Sequence, residues 1–440
     1  MKMLTQKWYA GDGAWRLCLS GACGTATNDW AADSLTGVLY ERWKLTGDAS
    51  LLGDLRQLEA ANPGYGPCAG SCTRWSDEPL WDAVAGVREY DVTGDPVALD
   101  KAILDYQSPT QSSLYALGAC PAIDYQQPNG VTGTKTLETT ANRVLAGVLL
   151  YERTGVAAYL ADAVAQYAAA RTYFLDPQLP LYTVWVADNG TACSQVPHRF
   201  YASVNGRMIE AGLELASAAG NPQYAADAAA TAQAITLLND ASGIFADLQA
   251  DSDIEEPLVS AMLKLSATSA SARTWILQNA AAAAHARNAA GSYPRLFDGP
   301  PDEGTTLWDT NGGFALVVAA ASLAPTSSPS AANPWTGNAI KPIALTALPT
   351  SYAFTGSGIA LYGTLGQARG HAHVAIDGVT MADQTGIWQG LSFAGPIANS
   401  VLFAWRWPSS GAHVLTFTPG EYDINEGGSF LDVVGALVTP

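Results

Sequence analysis

A short glycine punctuation recurs along this chain and ties most of it to a helical architecture. Residues 31–45 carry apolar side chains at three- and four-residue spacing and stop at Thr46-Gly47-Asp48. The design returns at 80–92 before Thr93-Gly94-Asp95, at 139–153 before Thr154-Gly155-Val156, and at 203–219 before Gly220-Asn221-Pro222. An alanine-rich second helix is expected after each turn, at 49–60, 97–106, 157–174 and 223–238. Glycine suits the end of a helix, and Asp48 can cap the next one. Four such hairpins at roughly 45–65-residue spacing form a repeat. Two further pairs are expected in 254–290 and 309–323, for a total approaching twelve helices. Stacked hairpins either extend as an open superhelix or close into a ring. The long segments 18–29, 62–75, 108–139, 176–199 and 240–253, rich in Gly, Pro, Asp and aromatics, favour closure. The short turns then occupy one rim and the long loops the other, where binding chemistry gathers on a rigid scaffold.

The character changes after residue 324. Pro325-Thr326-Ser327-Ser328-Pro329-Ser330 reads as a polar linker, and from 343 the pattern becomes short β-like runs at 352–354, 358–362, 372–376, 401–406, 413–417 and 430–434. These predict a small β-sandwich, with Asp377-Gly378 as a hairpin turn. The expected division is 1–324, a helical domain; 325–342, a linker; and 343–440, a sandwich.

With 22 basic against 40 acidic residues the net charge is −18, which repels a phosphate backbone and excludes nucleic acid as a partner. No apolar stretch is long enough to span a bilayer, and Met1-Lys2-Met3-Leu4 carries no hydrophobic signal region. The six cysteines, 18, 23, 68, 72, 120 and 193, point to disulfides and hence to a secreted, periplasmic or extracellular protein. Fifteen connectivities are open, and a zinc site is the weaker rival, since the five histidines lie far from these positions.

The stretch Trp75-Ser76-Asp77-Glu78-Pro79-Leu80-Trp81-Asp82 sets two adjacent carboxyls between two tryptophans. Pro79 fits a first helical turn, and Ser76 or Asp77 can cap it, so the carboxyls stand at a helix mouth. Glycosidases need two carboxyl groups across the scissile bond, about 5–5.5 Å apart for retention. Asp77 and Glu78 fit that role as attacking group and proton donor, with indole rings as walls of a sugar site. The plain reading is an acidic first turn that complements the helix dipole. Asp251, Asp253, Glu255 and Glu256 form a second acidic cluster, suited to a sugar subsite, to Ca²⁺ or simply to a solvated helix start.

Three features together resemble glycoside hydrolase family 76, the endo-α-1,6-mannanase type, over residues 29–323. They are the 75–81 stretch, the Leu-Tyr to Gly-Asp to Tyr-Leu hairpins (Leu39-Tyr40 to Asp48, Leu150-Tyr151 to Tyr159-Leu160), and Asn142 near a helix start. The resemblance implies an (α/α)6 barrel and retaining endo-cleavage of an α-1,6-mannan-like polysaccharide; that chemistry requires no cofactor, and a monomer without metal is expected. It makes Asp77 the nucleophile and Glu78 the acid/base, where the family has a second aspartate. Trp75, Trp81, Asn142, Asn205, Asp251 and Asp253 are the expected substrate-binding residues. The tail resembles a galactose-binding-like jelly roll, a carbohydrate-binding-like module. The rival functions are a helical-barrel hydrolase or lyase acting on another polysaccharide, and a non-catalytic glycan-binding protein.

Overall fold

The computed structural model describes residues 4–11, 13–19, 24–26, 30–66, 75–108, 118–121, 134–196, 199–248, 254–302, 305–323, 333–343, 350–365, 371–380, 387–388, 397–419 and 432–440. Among the described residues, five helical hairpins and one closing helix make an (α/α)6 barrel. They are α1 (Trp30–Thr46) with α2 (Ala49–Ala61), α3 (Glu78–Thr93) with α4 (Pro96–Gln107), α5 (Leu137–Thr154) with α6 (Ala157–Tyr173), α7 (Ala202–Ala218) with α8 (Pro222–Ala234), α9 (Glu256–Leu265) with α10 (Ala270–Ala286), and α11 (Leu307–Leu323). The odd-numbered helices pack in sequence on one another, and α11 returns to α1, so the inner ring is closed.

The glycine turns lie on one rim, as expected, and their chemistry is local. Gly47, Gly94, Gly155 and Gly220 all adopt φ between 60° and 71°, the left-handed conformation that costs other residues strain. In three of the turns a threonine stitches the bend. Thr46, Thr93 and Thr154 donate to the carbonyls of Arg42, Glu89 and Leu150, and accept the amides of Asp48, Asp95 and Val156. Asp48 and Asp95 then cap α2 and α4. The six inner helices therefore point their N-termini, and the positive ends of their dipoles, at the opposite rim, where the long loops return.

The expected sixth pair is one helix among the described residues. Asn311-Gly312-Gly313 lies in the first part of α11. A Cβ on Gly313 would meet Tyr293 at 2.2 Å and one on Gly312 would meet Glu255 at 2.5 Å, so the two glycines let α11 seat against α9 and its preceding loop. At its start Thr306 Oγ1 accepts the Asp309 amide, while the Asp309 carboxylate accepts from the Thr306 amide and hydroxyl, a reciprocal capping box. A small N-terminal sheet, β1 (Tyr9–Gly11), β2 (Ala14–Arg16) and β3 (Thr25–Ala26), spans from α2 to the start of α11. Tyr9 donates to Gln57, and the Leu307 amide donates to the Leu17 carbonyl.

Beside α5, the sheet of β4 (Thr134–Thr136), β5 (Trp185–Asp188) and β6 (Cys193–Gln195) is clamped by the Cys120–Cys193 disulfide. Cys18 is also oxidised. The described cysteines are thus not metal ligands, and the zinc rival has no support from them. Cys23, Cys68 and Cys72 lie outside the described residues.

The C-terminal sandwich is one antiparallel sheet folded over its own core: β7 (Lys341–Pro342), β8 (Thr350–Leu365), β9 (His371–Ile376), β10 (Val379–Thr380), β11 (Ile387–Trp388), β12 (Ile397–Pro419) and β13 (Val433–Thr439). Runs that read as separate strands are continuous. The stretches 352–354 and 358–362 both belong to β8, and 401–406 and 413–417 to β12, because a register shift between Arg406 and Gly411 bends the ladder without breaking it. Asp377 (φ 54°) and Gly378 (φ 78°) make the expected two-residue hairpin. The stretch read as linker is partly packed. Trp335 is buried and donates its indole N–H to the Asp298 carbonyl, and the Asp298 carboxylate takes Arg406 of β12 at 2.9 and 3.0 Å. Among the described residues, no helix is long and apolar enough to cross a membrane.

Candidate active site

The mouth of α3 carries the two adjacent carboxyls. Asp77 occupies the cap position with Pro79 in the first turn, yet it makes no side-chain capping hydrogen bond. Ser76, beside it, meets Thr139 of α5 at 3.0 Å and fixes the approach of the chain. Asp77 is 8% exposed, and Glu78 and Trp75 are half-buried, so the pair lies at the base of the loop-bearing rim. Burial pushes the Asp77 carboxyl up to about 6, against backbone and Trp81 donors that favour the ionised form.

Below this mouth lies a buried ionic network along the barrel axis. Arg207 of α7 holds its guanidinium 4.7 Å over the Trp81 ring and donates through Nε to Asn142 Oδ1 at 2.9 Å. Glu210 lies 3.4 Å from Arg207 and 3.2 Å from Arg88, and Glu256 of α9 lies 3.3 Å from Arg88. Ser260 also donates to Glu256 at 2.6 Å. Two guanidiniums against these carboxylates make the network close to charge-balanced, and the cations hold Glu210 below its ordinary range despite burial.

Several expected ligands thus have structural partners. Asn142 bonds the Glu138 carbonyl and supports Arg207. Asn205 accepts the Tyr182 amide and donates to the carbonyls of Tyr182 and Tyr201, which buckles the 181–183 segment onto α7. Trp81 is 3% exposed, with Arg207 on its ring. Asp251 and Asp253 lie outside the described residues. Glu255 and Glu256 are not a solvated helix start; both are fully buried. Arg88, Arg207 and Glu210 were missed as site residues. Their signal was present: charges interrupt apolar inner helices at Arg88-Glu89 and at Arg207 to Glu210, which only interior partners can tolerate.

No protein-family model and no curated protein sequence matches this chain. The similarity is in three dimensions. The α-1,6-mannanase of family 76 from Salegentibacter sp. HEL1_6 superposes with a TM-score of 0.63 at 18% identity, over 73% of this chain and 97% of that one. That structure is a variant inactivated at two consecutive aspartates, in complex with α-1,6-mannotriose. A family 76 α-mannanase of Bacteroides thetaiotaomicron gives 0.59 at 16% identity, over 73% and 93% of the two chains. A sugar epimerase from a ruminal bacterium gives 0.55 at 13%, over 74% and 98%. The helical part of this chain therefore has the (α/α)6 fold seen in the family 76 α-mannanases.

Proposed function

We propose that this chain is an exported, retaining glycoside hydrolase that cleaves an α-1,6-linked, mannan-like polysaccharide within its length. The observation that carries the reading is the adjacent pair Asp77 and Glu78 at the mouth of an inner helix, on the rim opposite the glycine turns. The fold shared with family 76 α-mannanases supports it. Two consecutive carboxyl residues also match, in kind, the consecutive aspartates whose replacement inactivates the Salegentibacter enzyme.

In the first step the Asp77 carboxylate attacks the anomeric carbon while Glu78 gives its proton to the departing glycosidic oxygen. In the second, Glu78 takes a proton from water, and the water oxygen displaces Asp77 from the sugar. Trp75 would border the sugar chain. An oxidised Cys120–Cys193 pair fits export. We divide the chain into a catalytic domain (1–324), a connecting stretch (325–342) and a carbohydrate-binding-like sandwich (343–440).

The test is digestion of α-1,6-mannan, dextran, β-glucan and arabinan with chromatography of the products. Mannooligosaccharides of several lengths, formed with retained anomeric configuration, are expected. Because Asp77 must be ionised to attack, kcat/KM should rise through about pH 6. A profile that falls through that pH would make Asp77 the acid instead.

A further inference from the structure

We propose that an aromatic strip on the C-terminal sandwich, formed by Tyr352, Phe354, Trp407 and His413 with Asp377 at its edge, binds a neutral glycan chain. This deepens the polysaccharide reading and rests on it for the choice of ligand. The strip lies on two neighbouring strands. Phe354 of β8 stands opposite His413 of β12, and their rings are 5.6 Å apart. Side chains alternate along a strand, so Tyr352 shares the face of Phe354 and stacks on it at 6.1 Å, with 20° between the planes. β12 carries extra residues between Arg406, opposite Gly358, and Gly411, opposite Gly356. Trp407 lies in that bulge, with its ring over His413 at 4.0 Å and 14°. Tyr352, Phe354 and Trp407 rest on the sandwich core, yet each of these rings, like His413, keeps part of its surface open.

Flat apolar rings suit the faces of a pyranose, and the sugar hydroxyls need polar partners beside them. Asp377 supplies one. Its carboxylate accepts the Val414 amide at 2.7 Å and meets His413 Nδ1 at 2.8 Å, which fixes the imidazole against Trp407. The Asp377 side chain is still 46% exposed, so it has room to accept from a hydroxyl.

The sandwich that carries the strip is anchored to the barrel rim on which Asp77 lies. Segments 239–248 and 287–302 lead into α9 and α11, which places them opposite the glycine turns. Ala246, Leu248 and Leu296 from these segments share one apolar core with Leu361, Leu402 and Phe403 of the sandwich. The Val401 amide donates to Asp302 at 3.1 Å. Ser242 Oγ lies 2.7 Å from both Asp240 and Asp298, and Asp298 is the carboxylate that holds Arg406. Trp407 follows Arg406 directly in the chain, so the strip is continuous with the anchor. A glycan held on it is kept near the rim at high effective concentration.

The experiment is affinity electrophoresis of the full chain in native gels containing α-1,6-mannan, dextran, β-glucan or arabinan. Asp77→Asn is the parent, so that the glycan is not consumed. Retardation by α-1,6-mannan is expected, and Trp407→Ala and Phe354→Ala should each weaken the affinity by about five- to tenfold. Tyr352→Ala and Asp377→Asn, smaller changes at the ends of the strip, should weaken it by about two- to threefold and decide the matter if the larger truncations do not fold. With Asp77 in place, Trp407→Ala should raise KM on the polysaccharide by the same factor as it weakens binding. Folded variants retarded as strongly as their parent overturn the proposal, and so does a parent that no glycan retards. If the wild type cleaves no glycan but its retardation depends on Trp407, the hydrolase reading fails and the strip stands.

Discussion

Helix α3 borders two carboxyl pairs, one at its mouth and one shared with α4, and their difference separates the proposed working site from a structural one. Asp77 and Glu78 stand at its mouth, on the rim opposite the glycine turns. Asp82 and Asp105 meet on its outer flank, both fully buried, where Asp82 also takes the Asn62 amide at 2.7 Å and Lys101 at 3.4 Å. Burial and the Asp82 charge push Asp105 up to about 8, so near neutrality it keeps a proton to share with Asp82. Glu89 joins the same cluster, 3.1 Å from Lys101, and burial pushes it to about 7. A displaced carboxyl range is therefore common to the mouth and the flank of α3 and identifies neither. What distinguishes the mouth is access, and donors that favour the charged form without sealing it. The flank is closed by Asn62, Lys101 and the Tyr65 amide, with no room for a substrate.

The largest expected difference between the pairs is in turnover. Asp77→Asn should lower kcat on α-1,6-mannan by about 10³-fold or more, while Asp105→Asn should stay within about twofold of wild type. Equal losses would mean that the flank, and not only the mouth, serves the chemistry. Next comes stability. Lys101→Met leaves the flank carboxylates without their cation and should cost about 3–5 kcal/mol in urea unfolding, without changing the identity of the products.

A third expectation uses the sign of the displaced acids. Asp77, Asp105 and Glu89 all bind their protons more tightly folded than unfolded, from starting values of 3.8, 3.8 and 4.5. Between roughly pH 4 and 8 the native state holds more protons than the unfolded chain, so stability falls as pH rises. The melting temperature should be higher at pH 5 than at pH 8. Asp105→Asn, whose amide can still donate to Asp82 and accept from Tyr65, should flatten that slope and stabilise by about 1–2 kcal/mol at pH 8. A slope of the opposite sign would refute the protonated flank. The smallest effect is expected at the far rim, where Gly94→Ala forces a side chain into φ 67° and should cost about 1 kcal/mol with activity intact.

The same division explains what the sequence made legible. Thr-Gly-Asp turns and their helices could be read because every bond involved spans only two to four residues, as at Thr93. The pair at 77 and 78 was visible because its residues are adjacent. The axis network was not, since Arg88 meets Glu256 across 168 residues and Arg207 meets Asn142 across 65. Nothing local pairs them until the ring closes. Asn205 looked like a sugar ligand because an amide suits a hydroxyl as well as it suits backbone. Only the fold shows its amide turned to Tyr182 and Tyr201. Residues 309–323 were expected to hold a helix pair and form the single helix α11, whose Gly312 and Gly313 serve close packing.

The most direct measurement is the product profile of wild type, Asp77→Asn and Glu78→Gln on α-1,6-mannan, with each variant's fold checked by circular dichroism. The account predicts mannooligosaccharides from wild type and none from either folded variant. Products that persist in both variants would contradict it by moving the chemistry off the mouth of α3. A wild type that releases nothing from this mannan would contradict the substrate itself.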